Sequence, residues 1–580
     1  MHLERSESGL GALDQLVECG LRSASILMKP ERLAAIQPSR ISASRAFVEQ
    51  MIKERWSIMR TRFRINADGE GEALYHIVCG GWEFSFPIYS FKPTTAGRTF
   101  RIIGTAWDMM GALVEGRISD ADFETTRQEM PKLYRGRATP GTLAWFRANR
   151  SARVFDDCLT SLSGGLQPEA EMLWDAGYTM RNTGLDGNGT FGTKTFVAFE
   201  KDHPLRWSLS AQMLAAYMMR VFATDILNHL AREIGGSNAV PLDPEISRYL
   251  GVGNGSALGL MFFVNNRPKL VNKWLLIREK AIAQAKMLDL SENCAPLDRL
   301  IGLVDRAITY RMEDTTPYGR YPPSSDIAAE LVTMKGELER LRKQVASGAN
   351  PSRTPLVGFC KSIEGRYGAH AIETLMSLLI DLVPDYADAQ VKTLVVDEEI
   401  TGAPEMSVGH LRDIIHSQYG WAFGMDLSSD ASRRFIWYKS RNAEEPRRGP
   451  RADIDEAYEL GLDLPRLVVA LDAKLTKEDP TTSVARFLLR HPDSRFIVSR
   501  IQSLDGLNYH SPHANIMSED FIPAHITKLL NSGIHGLDKT VDAMDRVIRG
   551  VLFQGAPLPE EIASGTASAD WANPPRTGKK

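Results

Sequence analysis

The chain has 580 residues, 43% of them apolar and 24% charged, and a formal net charge of -3. At ~150 residues per domain this is an ordinary soluble composition with material for roughly two to four domains. The near-neutral balance argues against a general nucleic-acid binder, which would show a basic domain or face.

Five scattered cysteines without a CxxC pair exclude a thiolate zinc finger and fit a reducing compartment. The first residues are charged and lack the apolar core of a signal peptide. No run reaches the ~18 uncharged residues of a membrane span. The expected location is the cytoplasm, with no membrane partner.

Residues 42–64 repeat apolar side chains at Phe47, Met51, Trp56 and Met59, a spacing that predicts a helix. Residues 73–79 and 82–91 are β-rich and joined by Gly80 and Gly81, a hairpin signal. Helices are expected over 105–115, 119–133, 143–162 and 168–180. Residues 209–234 are apolar nearly all round as far as Phe222 and should lie at the centre of a helical layer. Asp243, Pro244 and Glu245 form a helix start. Residues 205–315 therefore read as a central helical bundle.

Residues 315–325 (TTPYGRYPPSS) form a linker. Beyond it Ile327, Leu331, Met334, Leu338, Leu341 and Val345 alternate steps of four and three, a heptad seam with charged flanks. That seam reads as an antiparallel helical hairpin or the interface of a homo-oligomer, with an ordinary core helix as the alternative. A second linker spans 346–354, and helices are expected to continue to about residue 388.

From residue 407 the order of features repeats that of the first lobe. A helix over 408–419 leads into β-rich residues 421–427 and 434–438, then a basic turn at 439–451 beside that at 92–98. Residues 112–122 match 470–479, and 145–162 match 487–504 without a gap, Arg153 meeting Arg495. The expected fold class is α+β and predominantly α-helical, with two duplicated α+β lobes around the central bundle. The divisions are 1–204, 205–315, 316–404, 405–556 and a small, polar, disordered tail at 557–580.

Two glycine/asparagine loops flank the apolar helix: 182–195 (NTGLDGNGTFGTKT) and 251–259 (GVGNGSALG). The first is one residue longer than a phosphate-binding G-x-x-x-x-G-K-[ST] loop, and a helix, not a strand, is expected before it. The second lacks the strand and the acidic residue of a dinucleotide fingerprint. What remains is a pair of loops whose backbone N–H groups could meet an anion. Arg181, Asn188, Gly189, Asn254, Gly255 and Ser256 are the candidate substrate-binding residues. Asp186 and Lys194 are the candidate acid–base pair. For the glycines of the second loop, close helix packing is the competing explanation.

His510 and His513 form the sole close histidine pair, but Pro512 disfavours a shared helix and no third ligand follows, so no metal site is assigned. No cofactor is indicated. The leading reading is a cytoplasmic enzyme of small-molecule metabolism acting on an anionic, organic-acid-like substrate. The alternative is a non-catalytic oligomeric scaffold assembled through the heptad seam.

Overall fold

The computed structural model describes residues 20–92, 108–133, 141–151, 154–169, 172–173, 177–182, 199–254, 268–314, 322–395, 403–424, 426, 435–439, 444–448, 460–504, 528–536, 550–568 and 570–574. The protein is mixed α/β and mainly helical. Its strands are β1 (Ser57–Ile65), β2 (Gly71–Cys79), β3 (Trp82–Ser90), β4 (Met109–Glu115), β5 (Thr142–Arg150), β6 (Tyr178–Asn182), β7 (Gly251–Asn254), β8 (Phe435–Lys439), β9 (Glu444–Arg448) and β10 (Gly550–Leu552). Eight of them form one sheet in the order β1-β2-β3-β4-β5-β6-β7-β10, while β8 and β9 pair separately. Neighbours in the large sheet are antiparallel except β6 and β7, which are parallel.

The principal helices are α1 (Ala43–Glu54), α2 (Asp120–Leu133), α3 (Val154–Ser163), α4 (Ser210–Gly235), α5 (Pro268–Lys286), α6 (Ala295–Glu313), α7 (Ser324–Ala346), α8 (Ala369–Leu379), α9 (Val408–Gln418), α10 (Leu460–Leu475), α11 (Val484–Arg490), α12 (Arg495–Leu504) and α13 (Pro559–Ser564). Among the described residues no helix is long and apolar enough to cross a membrane.

The apolar helix α4 packs against β4, β5, β6 and β7. Near β1 and β2, Asp225 accepts the Tyr75 hydroxyl at 2.7 Å and pairs with Arg60 at 3.1 Å. Phe222 packs on Phe63. Toward the far edge, buried Arg220 donates to five backbone carbonyls: Leu250, Ser247 and Arg248 before β7, and Ala556 and Pro557 after β10. A guanidinium has five N–H donors and no acceptor, so carbonyls alone can satisfy it without a counter-charge. The helix that follows β10, α13, packs on β1 and so covers the opposite edge.

The hairpin of β2 and β3 stands as expected, with Cys79 opposite Trp82 and both intervening glycines at positive φ (51° and 92°). Elsewhere the sheet is where the sequence expectations need correction. The helix expected over 42–64 ends at Glu54. Arg55, left-handed at φ 51°, turns the chain into β1. The helix expected over 105–115 is β4, that over 143–162 is β5 followed by α3, and that over 168–180 ends in β6. One physical reason covers these cases. Strands covered on both faces read as unbroken apolar runs, and such runs cannot be told from buried helix by periodicity. One face of β4 and β5 joins the core on α4, and the other joins Tyr89, Met110, Trp145 and Phe123 beneath α2. The central region is likewise not all helical, because β7 leaves it to enter the sheet.

The heptad seam forms the hairpin of the two readings. Ile327, Leu331, Met334, Leu338, Leu341 and Val345 are all buried within the chain, and α7 packs on α6. The surface ion pairs Lys335–Asp305 and Arg342–Asp298 follow the antiparallel register.

Residues 403–504 gather a separate small core from Val408, Leu411, Val468, Phe487 and Ile501. Duplication of the first lobe finds no support there. Residues 421–423 are helical, not β-rich. The gapless match sets strand β5 and helix α3 against helices α11 and α12. The shared pattern was amphipathic spacing, which unrelated elements produce equally. The expected disordered tail is also corrected through residue 574: it contains α13 and buried Trp571, and the Arg306 Nε donates to the Ala572 carbonyl.

The N-terminal segment is tied in by charge. Arg22 donates to Glu279 at 2.8 and 2.7 Å and to Glu373 at 2.6 Å, while Arg278 reaches both carboxylates. Arg45 and Arg40 grip Asp381 and Asp388 in the same two-pronged manner. Burial would push the Glu373 carboxyl up, but Arg22 and Arg278 outweigh it and hold it down at about 2.

Candidate functional site

Both glycine loops begin at neighbouring strand ends. Arg181 lies opposite Gly253 and Asn182 opposite Asn254 on the parallel pair β6 and β7, and β10 begins at Gly550 opposite Asn254. The segments after Asn182 and after Asn254 thus leave adjacent strands at one level, with α4 in contact with both strands. In open α/β sheets the crevice that takes a ligand lies outside the carboxyl ends of the strands.

A strand, β6, leads into the first loop in place of the expected helix. The second loop is corrected too, since Gly251 and Gly253 belong to β7. A Cβ at Gly251 would fall 2.2 Å from the Leu552 carbonyl oxygen, and one at Gly253 would fall 2.7 Å from the Tyr178 ring. These two glycines therefore serve close approach of neighbouring strands.

The sheet face turned away from α4 carries the polar groups at this point. Along β5, Trp145, Arg147 and Asn149 alternate onto that face. Arg181 stands directly opposite Asn149 on β6, so the two share a face. Arg147 and Arg181 are half-buried and Asn149 is buried. The Arg147 guanidinium lies 5.4 Å from the centre of the Trp145 ring, a cation–π distance. Asp108, wholly buried at the head of β4, accepts the Arg150 backbone N–H at 2.8 Å. Two guanidinium groups, an amide and a carboxylate are therefore gathered around the ends of β4, β5 and β6. Such a set can hold a carboxylate or phosphate by charge-assisted hydrogen bonds.

Of the candidate residues from the sequence, Arg181 is in this group and the Asn254 backbone ends the neighbouring strand. Asp186, Asn188, Gly189, Lys194, Gly255 and Ser256 lie outside the described residues, as do His510 and His513. Among the described residues no cluster of three or more His, Cys, Asp or Glu side chains could hold a metal ion. Burial, with a smaller contribution from Glu54 and Asp157 respectively, pushes the Cys79 and Cys158 thiols up to about 12. Neither thiol is a nucleophile at neutral pH.

Sequence reasoning missed Asp108, Arg147 and Asn149. Their signal was present as a period of two in Trp145, Arg147 and Asn149, but a helix assignment over 143–162 scatters those three around a cylinder. Comparison with protein-family models, with curated proteins and with solved structures finds no match for this chain.

Proposed function

We propose that the protein is an enzyme of small-molecule metabolism that binds an anionic, organic-acid-like substrate at the ends of β5, β6 and β7. The observation that carries this reading is the pairing of Arg181 with Asn149, flanked by Arg147, where both glycine loops start. Arg147 and Arg181 would fix the anion, and the buried Asn149 amide would orient it. Asp186 and Lys194, on the segment that follows β6, are the acid–base candidates, with Asp108 a further carboxylate at the same end.

A thermal-shift screen over organic acids, phosphates, nucleotides and divalent metals tests the binding, because a ligand of the folded state alone must raise the midpoint. Carboxylates should raise it, and Arg147→Gln or Arg181→Gln should weaken the effective acid by about tenfold or more, the worth of a charged hydrogen bond of ~1.5–3 kcal/mol. Binding undiminished in both variants, or no response to any anion, overturns the proposal. Asp186→Asn and Lys194→Ala should retain binding and lose turnover.

A further inference from the structure

Where α1 meets the turn Ile380–Leu382 and the short helix Pro384–Lys392, five ionisable side chains gather: Arg40, Arg45, Glu49, Asp381 and Asp388. Both guanidinium groups face an aspartate in two-pronged fashion. Arg45 donates Nη1 and Nη2 to Asp381 at 3.0 and 2.6 Å, and Arg40 donates Nε and Nη2 to Asp388 at 2.8 and 3.1 Å. Glu49 is a third carboxylate beside two cations. Its Oε1 and the Arg45 Nε, 3.7 Å apart, are both buried without a hydrogen-bond partner. Its Oε2 lies 3.3 Å from Arg40 Nη1, and the side chain is 3% exposed, so little water reaches it.

The surrounding charges leave that imbalance in place. Lys53, in the last turn of α1, sits at the exposed rim, 3.3 Å from Asp385 and 4.0 Å from Asp388. On α6, Arg299 Nε reaches the Asp381 backbone carbonyl at 3.5 Å, and Arg306 gives its Nε to the Ala572 carbonyl. Helix α4, packed on α1, carries no charge before Arg220, whose donors are held by carbonyls. Helix α13 brings Glu560 and Glu561, the latter paired with Arg248, and the turn Asn531–His535 brings His535. Among the described residues, Arg40 and Arg45 are the cations within 4.0 Å of Glu49. Burial pushes the Glu49 carboxyl up and Asp381 and Asp388 add to it, which together outweigh the pull of Arg45 and Arg40.

We propose that Glu49 is the proton-binding member of this group, and that the joint between α1 and residues 380–392 tightens when Glu49 is protonated and slackens when it ionises. A proton on Glu49 balances the charges of the five side chains and leaves both aspartates their guanidinium partners. The folded chain then holds this proton more firmly than the unfolded chain does. The resulting stability is complete at and below the ordinary 4.5 and is lost as pH rises from there through the folded value. Glu373 acts in the opposite direction and at lower pH. Asp225 is also pushed up, chiefly by burial, so comparison with a Glu49 variant assigns the effect. The group shares no residue with the proposed anion site.

The test is an NMR titration of the glutamate side-chain carboxyl carbons in the isotopically labelled full chain, with Glu49→Gln identifying the resonance. The Glu49 signal should titrate with a midpoint above 4.5. Asp381→Asn or Asp388→Asn, each freeing a guanidinium for Glu49, should move that midpoint down. If Glu49→Gln fails to fold, the signal that moves in an aspartate variant identifies the residue. Urea denaturation from pH 4.5 to pH 8 reads the coupling to the fold. Across that range the unfolding constant of the unmodified protein should rise about threefold or more relative to Glu49→Gln. A Glu49 midpoint at or below 4.5, or one unmoved in a folded aspartate variant, overturns the proton site. A ratio of unfolding constants that stays flat with pH overturns its hold on the joint.

Discussion

Glu373, wholly buried on α8, accepts Arg22 Nη1 at 2.6 Å across 351 residues of sequence. The contact belongs to a group in which Arg22 and Arg278 each touch both Glu373 and Glu279. Removing one partner from such a group leaves uncompensated charge in the interior, which is costlier than never having built the pair.

The first prediction follows from the direction of the Glu373 shift. Its folded value of about 2 lies below the ordinary 4.5, so the carboxylate contributes stability that is present above pH 4.5. That contribution is lost as pH falls from there toward about 2. Glu373→Gln should cost about 3–5 kcal/mol at neutral pH. It should also flatten the decline of stability below pH 4.5. Urea denaturation of both proteins at intervals from pH 7 to pH 3 measures the two slopes; parallel slopes would exclude Glu373 as a source of acid sensitivity.

A second prediction concerns Gly253 and Tyr178. Alanine at 253 places a methyl carbon 2.7 Å from the Tyr178 ring, so Gly253→Ala should destabilise by roughly 1–3 kcal/mol through overpacking. In a Tyr178→Ala background the same change should cost little, because the clash is gone. A double-mutant cycle by chemical denaturation reads the coupling directly, and additive costs would show that the glycine is needed for some other reason.

The third prediction separates the two readings of the heptad seam. Leu331 and Leu338 are completely buried inside the chain. Leu331→Asp or Leu338→Asp should therefore lower the urea midpoint, with a loss of about 3 kcal/mol or more from cavity formation and a buried charge. The mass of the folded species in sedimentation should stay as in the unmodified protein. A change of mass with stability intact would instead make the seam an assembly surface.

Much of the helical half of this fold was legible in the sequence. Asp243 accepts the backbone N–H of Glu245 and Ile246 as the helix start required, and α4 and α7 occupy the stretches their spacing marked. The sheet was legible only at the hairpin, where Gly80 and Gly81 announce the turn. Strands β4 and β5 were hidden because both faces are covered, and β6 and β7 because they are short and take their pairing from distant segments. The candidate site suffered for the same reason. Arg181 could be named from its loop, but its neighbour Asn149 comes into view only once β5 and β6 are paired. Nothing local in the sequence distinguishes the buried carboxylates Glu279 and Glu373, whose partner Arg22 is hundreds of residues away.

The hold of Arg220 on carbonyls from both 247–250 and 556–557 has a consequence for how the molecule is made. Strand β7 emerges from the ribosome some three hundred residues ahead of β10, the partner that hydrogen-bonds its free side. Until those last residues are synthesised, a guanidinium lacking two of its five carbonyl acceptors and an unzipped strand wait together on a nearly finished sheet. A chain cut short before residue 550 would keep most of its hydrophobic interior and still have an open seam, the kind of lesion that chaperones and proteases recognise.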